Sequence, residues 1–279
     1  MKKRNVIHFI GGNSEEFLKK QLEVYDRAIY EYTSYTASVI VEDRKFVFHP
    51  TSKIKKPFHV FEKVKREIEK SGVQVPTIDR TKINWHNFSK RNFPKEFYSV
   101  DLSSAYASVL LKYKAITDET YNDILEKIPK EDRLKAIGML GTLKSRLIYE
   151  KGKEPILEKV ESPFSNWFFF CCYVTGEIME LTKEHCKEDY LFYWVDGIAV
   201  SDNPQKAIDY MTSLGYRSKI DKITECSYED GVIYYKKNGK EKVLHIPKSR
   251  KIQNNEVIKF LVKDSSEDKE EALQGNDNT

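Results

Sequence analysis

Cysteine is scarce. The four present, Cys171, Cys172, Cys186 and Cys226, show neither CxxC spacing nor a companion cluster of histidines, which argues against a structural zinc site and a disulfide framework and leaves ordinary reduced thiols. Long apolar runs are missing too: nothing approaches the ~20 residues that a membrane helix needs. The opening Met1-Lys2-Lys3-Arg4 leads into a stretch too short and too soon polar for a secretory signal, so the expectation is a cytoplasmic protein with no membrane partner. Nor is there a strong charge of one sign. Against 47 basic residues stand 43 acidic ones, a net of +4, which permits nucleic-acid binding without requiring it. The Gly11-Gly12 pair that follows the strand-like Val6–Ile10 lacks the lysine of a P-loop and the third glycine of a dinucleotide loop. It reads as a strand-to-helix turn capped by Asn13 or Ser14.

What is there suffices for one sizeable core or two modest ones, with 40% hydrophobic and 13% aromatic residues in a chain of 279. In the first 80 residues, Phe17, Leu18, Leu22, Tyr25 and Ile29 fall near helical spacing, and Ser38–Val41 and Lys45–Phe48 read as strands. Residues 53–70 form an amphipathic helix on Val60, Phe61, Val64 and Ile68, whose lysines make either a solvated face or a phosphate-contacting one. A polar linker spans Thr77–Lys82. Beyond it, Trp85, His86, Phe88 and Phe93 interleave with Lys90 and Arg91, a mixture suited to stacking on bases or to a packed loop. Three regions follow from this reading: an N-terminal α/β domain over 1–80 with no assigned role, a main domain over 81–255, and a disordered acidic tail over 256–279.

The chemistry lies in two strand endings. Phe97-Tyr98-Ser99-Val100-Asp101 is an apolar run closed by an acid, and it leads through Ser103-Ser104 into a helix bearing Tyr106. Tyr190–Val195, then Asp196-Gly197, then Ile198–Val200 reads as strand, acid, tight turn, strand, with Gly197 supplying a positive φ. Two carboxylates on adjacent strands repel each other unless cations lie between them, and magnesium, an oxygen-seeking ion, meets that need. Paired divalent ions can activate a 3′-hydroxyl and stabilise a leaving pyrophosphate.

Asp101-Leu102-Ser103-Ser104-Ala105-Tyr106-Ala107-Ser108 resembles the DxxSLYPS segment, motif A, of family B DNA polymerases, and Trp194-Val195-Asp196-Gly197 is similar to their DTDS hairpin, motif C, with Trp194 at its first acid. Arg133 to Arg146 is read as a basic helix interrupted by Gly138 and Gly141. It resembles motif B, KxxxNSxYG, with Arg133 at the lysine, Gly141 at the closing glycine, and Ile137 and Leu140 in place of the Asn and Tyr. The resemblance covers about residues 95–250 and is closest to protein-primed phage polymerases. It implies an α+β fold: a polymerase-like palm, an antiparallel sheet backed by helices, with short helical fingers beside the small N-terminal domain. It implies Asp101 and Asp196 as the metal-binding, catalytic acids for Mg²⁺ or Mn²⁺. Ser104, Tyr106 as steric gate, Arg133 and Lys135 would hold the incoming deoxynucleotide. After a long helix over 162–184 and another over Gln205–Leu214, strands at Cys226–Tyr235 and Lys242–Ile246 would turn at Asn238-Gly239. There Lys236, Lys237, Lys240, Lys242, Lys248 and Arg250 would contact a DNA primer–template, with a nucleic-acid or a protein primer. The short interval from Asp101 to Arg133 leaves little room for fingers, and no strand ends in the DxE acids of a proofreading exonuclease.

Two other readings stand beside a minimal DNA polymerase. Trp194 in place of an acid favours a catalytically inactive palm that binds nucleic acid or supports assembly. An aromatic five residues past Asp101 and Ser162-Pro163 ahead of the long helix favour a reverse-transcriptase-like enzyme, although Tyr193-Trp194-Val195-Asp196 lacks the first acid of YxDD.

Overall fold

The structure, a computed structural model, describes residues 5–33, 36–49, 55–88 and 92–246, with 55–58 as backbone alone. The chain divides into two compact units. One combines residues 1–74 with 115–168, the other 75–114 with 169–279. The segment from Ala115 to Phe168, assigned from sequence to the main domain, groups with the N-terminal residues.

The first unit carries a six-stranded sheet built from β1 (Asn5–Ile10), β2 (Arg27–Tyr32), β3 (Ala37–Val41), β4 (Arg44–His49), β7 (Leu143–Glu150) and β8 (Ile156–Glu161), in the order β1-β4-β3-β2-β7-β8. Only β1 and β4 run parallel. Helix α1 (Ser14–Val24) is capped by Asn13, whose side chain accepts from the amides of Glu15 and Glu16. The helix stops at Val24, short of the expected Ile29. Arg27–Tyr32 instead pairs with β3 and β7 on either side as β2, and this strand pairing overrides the helical spacing there. Leu18 of α1 packs on Ala28, Val39, Phe46 and Phe48, forming the core of one sheet face. Helices α2 (Lys55–Ser71), α4 (Asp118–Lys127) and α5 (Lys130–Gly138) complete this unit, with Val60, Val64 and Ile68 as the buried stripe of α2.

The second unit holds a seven-stranded, wholly antiparallel sheet of β5 (His86–Phe88), β6 (Phe97–Leu102), β9 (Tyr190–Trp194), β10 (Gly197–Val200), β11 (Ser218–Glu229), β12 (Val232–Lys237) and β13 (Lys240–His245), ordered β13-β12-β11-β6-β10-β9-β5. Helices α3 (Ala105–Lys112), α6 (Ser165–Cys186) and α7 (Pro204–Ser213) accompany it. Cross-strand pairing aligns Val100, Ile198 and Tyr193 on one sheet face, and the Tyr193 hydroxyl donates to Glu180 of α6 at 2.5 Å. That face is therefore backed by helix. On the opposite face Phe97, Phe192, Ala199, Ile223 and Ile233 form a second core, beneath which the row ends in Asp101. The fold is α+β, with an antiparallel sheet backed by helices. No helix among the described residues is long and apolar enough to cross a membrane. All four cysteines are free and buried.

Two segments differ from the sequence expectation. Cys226–Tyr235 is not one strand, because Asp230 and Gly231 (φ 46° and 83°) turn the chain between β11 and β12. Asn238 and Gly239 (φ 53° and 72°) make the next two-residue turn where expected, since both positions need the left-handed region. The basic helix expected over Arg133–Arg146 ends at Gly138, and Lys144 and Arg146 lie on β7. The residues from Leu143 onward pair with β2 and β8, so strand pairing overrides the local helical pattern. Lys248, Arg250, Lys90, Arg91 and the proposed tail over 256–279 lie outside the described residues.

Candidate functional site

Asp101 and Asp196 come to neighbouring strand ends. Asp101 is the penultimate residue of β6 and pairs directly with Gly197, the residue after Asp196. The turn is pinned by the Leu102 amide, which donates to the Asp196 carbonyl at 2.8 Å, and by the Val195 amide, which donates to the Trp85 carbonyl at 2.7 Å. Val195, a β-branched residue at φ 53°, takes the left-handed conformation in this turn, a strained setting for its type. Gly197 does not supply the positive φ. A Cβ there would stand 2.1 Å from Oδ1 of Asp101, so glycine is what lets the Asp101 carboxylate approach this closely.

The Asp101 carboxylate is firmly held. Ser99 Oγ donates to Oδ1 at 3.0 Å, Lys237 Nζ lies 2.9 Å from Oδ2, and Lys219 Nζ lies 3.9 Å from the same oxygen. Lys237 also reaches Asp221 at 2.9 Å, and Asn238 donates to Asp221 at 3.2 Å. Burial works against charge on Lys237, but the Asp221 and Asp101 carboxylates outweigh it and hold the ammonium above its usual range. Lys219, Asp221 and Ser99 were not among the sequence candidates. Pairing of β11 with β6 sets Lys219 opposite Asp101 and Asp221 opposite Ser99, a register that no local pattern announces.

Tyr106, on the first turn of α3, sits close enough for the Asp196 charge to act on it. Burial first, then Cys172 and Asp196, raise its phenol well above the usual range, and Cys172 Sγ donates to its oxygen at 3.5 Å. Ser104 precedes α3 at φ 51°, and its carbonyl accepts the Ser108 amide at 3.0 Å. Trp194 pairs with Gly197, on the Asp101 side of the sheet; it is 39% exposed and packs edge-on to His86 at 5.5 Å.

The remaining candidates are dispersed. Arg133 and Lys135 belong to α5 in the first unit, where Arg133 donates to the Leu125 carbonyl at 3.4 Å and Lys135 is exposed. The expected basic patch divides across β12 and β13: alternation turns Lys236 away from Lys237, and Lys236 pairs with Glu225 at 2.5 Å. Lys240 and Lys242 are exposed.

Magnesium is commonly held by one or two carboxylates together with substrate phosphates, and two aspartates at adjoining strand ends are donors of that chemistry. Among the described residues no group of three or more Asp, Glu, His or Cys gathers around a common point. The carboxylates alone would thus make an incomplete shell that substrate oxygens or water must finish. No protein-family model matches this chain, and no curated protein does.

Proposed function

We propose that this chain is a minimal, polymerase-like nucleotidyltransferase that adds deoxynucleotides to a primer hydroxyl, with Asp101 and Asp196 holding Mg²⁺ or Mn²⁺. The observation that supports this reading is the register of β6 and β10, which sets Asp101 opposite Gly197, the residue after Asp196, at one sheet end, with Tyr106 within reach of the Asp196 charge. When bound, the divalent ions would polarise the attacking hydroxyl and the leaving phosphate. The chain's own groups do the rest. Ser99 and Gly197 orient the Asp101 carboxylate, and Lys237 supplies the charge that offsets it before metal arrives. Tyr106 forms a wall at the start of α3, suited to excluding a sugar 2′-hydroxyl. Partners on this reading are deoxynucleoside triphosphates and a DNA primer–template.

A second reading draws on a specific contact. The Lys237 ammonium shared by Asp101 and Asp221 is a complete ion network without any metal, and exposed Trp85 and Trp194 offer faces for base stacking. A catalytically inactive palm that binds single-stranded nucleic acid fits these features. Incorporation of labelled deoxynucleotide onto a primed template, with Mg²⁺ or Mn²⁺, separates the two. Transfer by the native chain that falls to background in Asp196→Asn supports the enzyme. Background counts from both proteins, with DNA retained on a filter, support the binding module.

A further inference from the structure

The space between two packed layers of a protein is ordinarily filled by apolar side chains. In the first unit it is not. A cavity of about 290 Å³ lies between the six-stranded sheet and α2, at the low end of the volumes that bind small molecules. Three lysines line it: Lys45 on β4, Lys65 on α2 and Lys144 on β7. Glu31, 7% exposed, is the buried carboxylate among them, and it is already shared by Lys45 and Arg146, each at 2.7 Å. Burial alone would raise Glu31, but hydrogen bonds from those two cations bring it down to about 2. Glu62 is taken by Lys65 at 2.8 Å.

Lys144 is left over. Among the described residues no carboxylate lies within ion-pair distance of its ammonium. Burial, and then the like charge of Lys45, lower its proton affinity; the Glu31 charge pulls the other way, but Lys65 and Arg146 add to the repulsion and the net shift is downward. An ammonium kept where desolvation and repulsion both oppose it is a standing free-energy penalty. An anion in the cavity would remove that penalty. Ser162 lines the same space; its oxygen accepts the Phe164 amide at 3.2 Å, which leaves the hydroxyl proton to donate. Val47, Phe61, Met139 and Phe164 add apolar surface to the same lining.

We infer that this cavity binds a small molecule joining one oxyanion, a phosphomonoester or a carboxylate, to a compact apolar or aromatic body, with the oxyanion on Lys144 and Ser162. The site is built wholly from the first unit and involves neither Asp101 nor Asp196, so it stands or falls apart from nucleotidyl transfer.

Calorimetric titration of the full chain with phenyl phosphate, benzoate and inorganic phosphate tests it. Phenyl phosphate or benzoate should bind, the stronger of the two identifying the oxyanion, and inorganic phosphate should bind more weakly than phenyl phosphate for want of the apolar body. Lys144→Met should weaken the bound probe by about tenfold or more, in keeping with loss of a charged hydrogen bond. Ser162→Ala should weaken it by roughly three- to tenfold. The Asp101→Asn/Asp196→Asn double variant should bind as the native chain does. Because the free Lys144 charge opposes folding, Lys144→Met should melt no lower than the native protein without ligand. Three results would each overturn the inference: no binding of either aromatic probe, equal binding by Lys144→Met, or a clear loss of thermal stability in that variant.

Discussion

Glu177 of α6 shows how a single buried carboxyl can tilt stability with pH. It is 3% exposed, and the Asn84 side-chain amide donates to it at 3.3 Å. Burial, and then the neighbouring charge of Glu180, push its pKa from 4.5 up to about 7. Unfolded, the group ionises near its ordinary value; folded, it keeps its proton until near neutrality. Between those values the folded state binds more protons, so stability falls as pH rises through the window and levels off above it. The full displacement corresponds to roughly 3 kcal/mol. Glu177→Gln should match the native chain in urea unfolding near pH 4.5 and exceed it by about 1–3 kcal/mol at pH 8. A difference that does not change with pH would show that Glu177 ionises normally in the folded protein. None of this was readable from sequence, where Glu177 is one acid in a largely apolar helix and its burial depends on a partner 93 positions away.

At the scale of elements, the turn between β9 and β10 decides how the site is presented. A methyl group at Gly197 would collide with the Asp101 carboxylate at 2.1 Å. Gly197→Ala should therefore cost roughly 1–3 kcal/mol, as overpacking does, and displace that carboxylate from Ser99. A neutral thermal midpoint would show that the close approach is not constraining. The strand that bears Asp101 and the strand that leads to Asp196 were legible because each is an apolar run followed by an acid, and the Asn238-Gly239 hairpin because its two residues favour positive φ. Asp230-Gly231 carries the same turn chemistry but interrupts an apparently continuous β-rich stretch, and the stretch masked it. The role of Gly197 was misjudged because close approach across strands is a matter of register, whereas positive φ is a matter of residue type. Lys144 and Arg146 follow a helix directly, so their place on a strand is fixed only by the partners β2 and β8.

For the whole molecule, the α+β class with an antiparallel sheet was expected through the motif resemblance, and alternation and turn residues marked only some of its strands. The grouping of residues 115–168 with 1–74 does not, because it depends on β7 pairing with β2 across more than a hundred positions. The proposed nucleotidyl transfer requires that Asp101 and Asp196 share a cation, and that Lys237 give way to it. Titration of Mn²⁺ followed by the paramagnetic resonance signal of the free ion measures this directly. The native chain should bind Mn²⁺, Asp101→Asn and Asp196→Asn should each lose that binding, and Lys237→Met should bind more tightly because its competing ammonium is gone. Identical Mn²⁺ binding by all four proteins would contradict a shared carboxylate site.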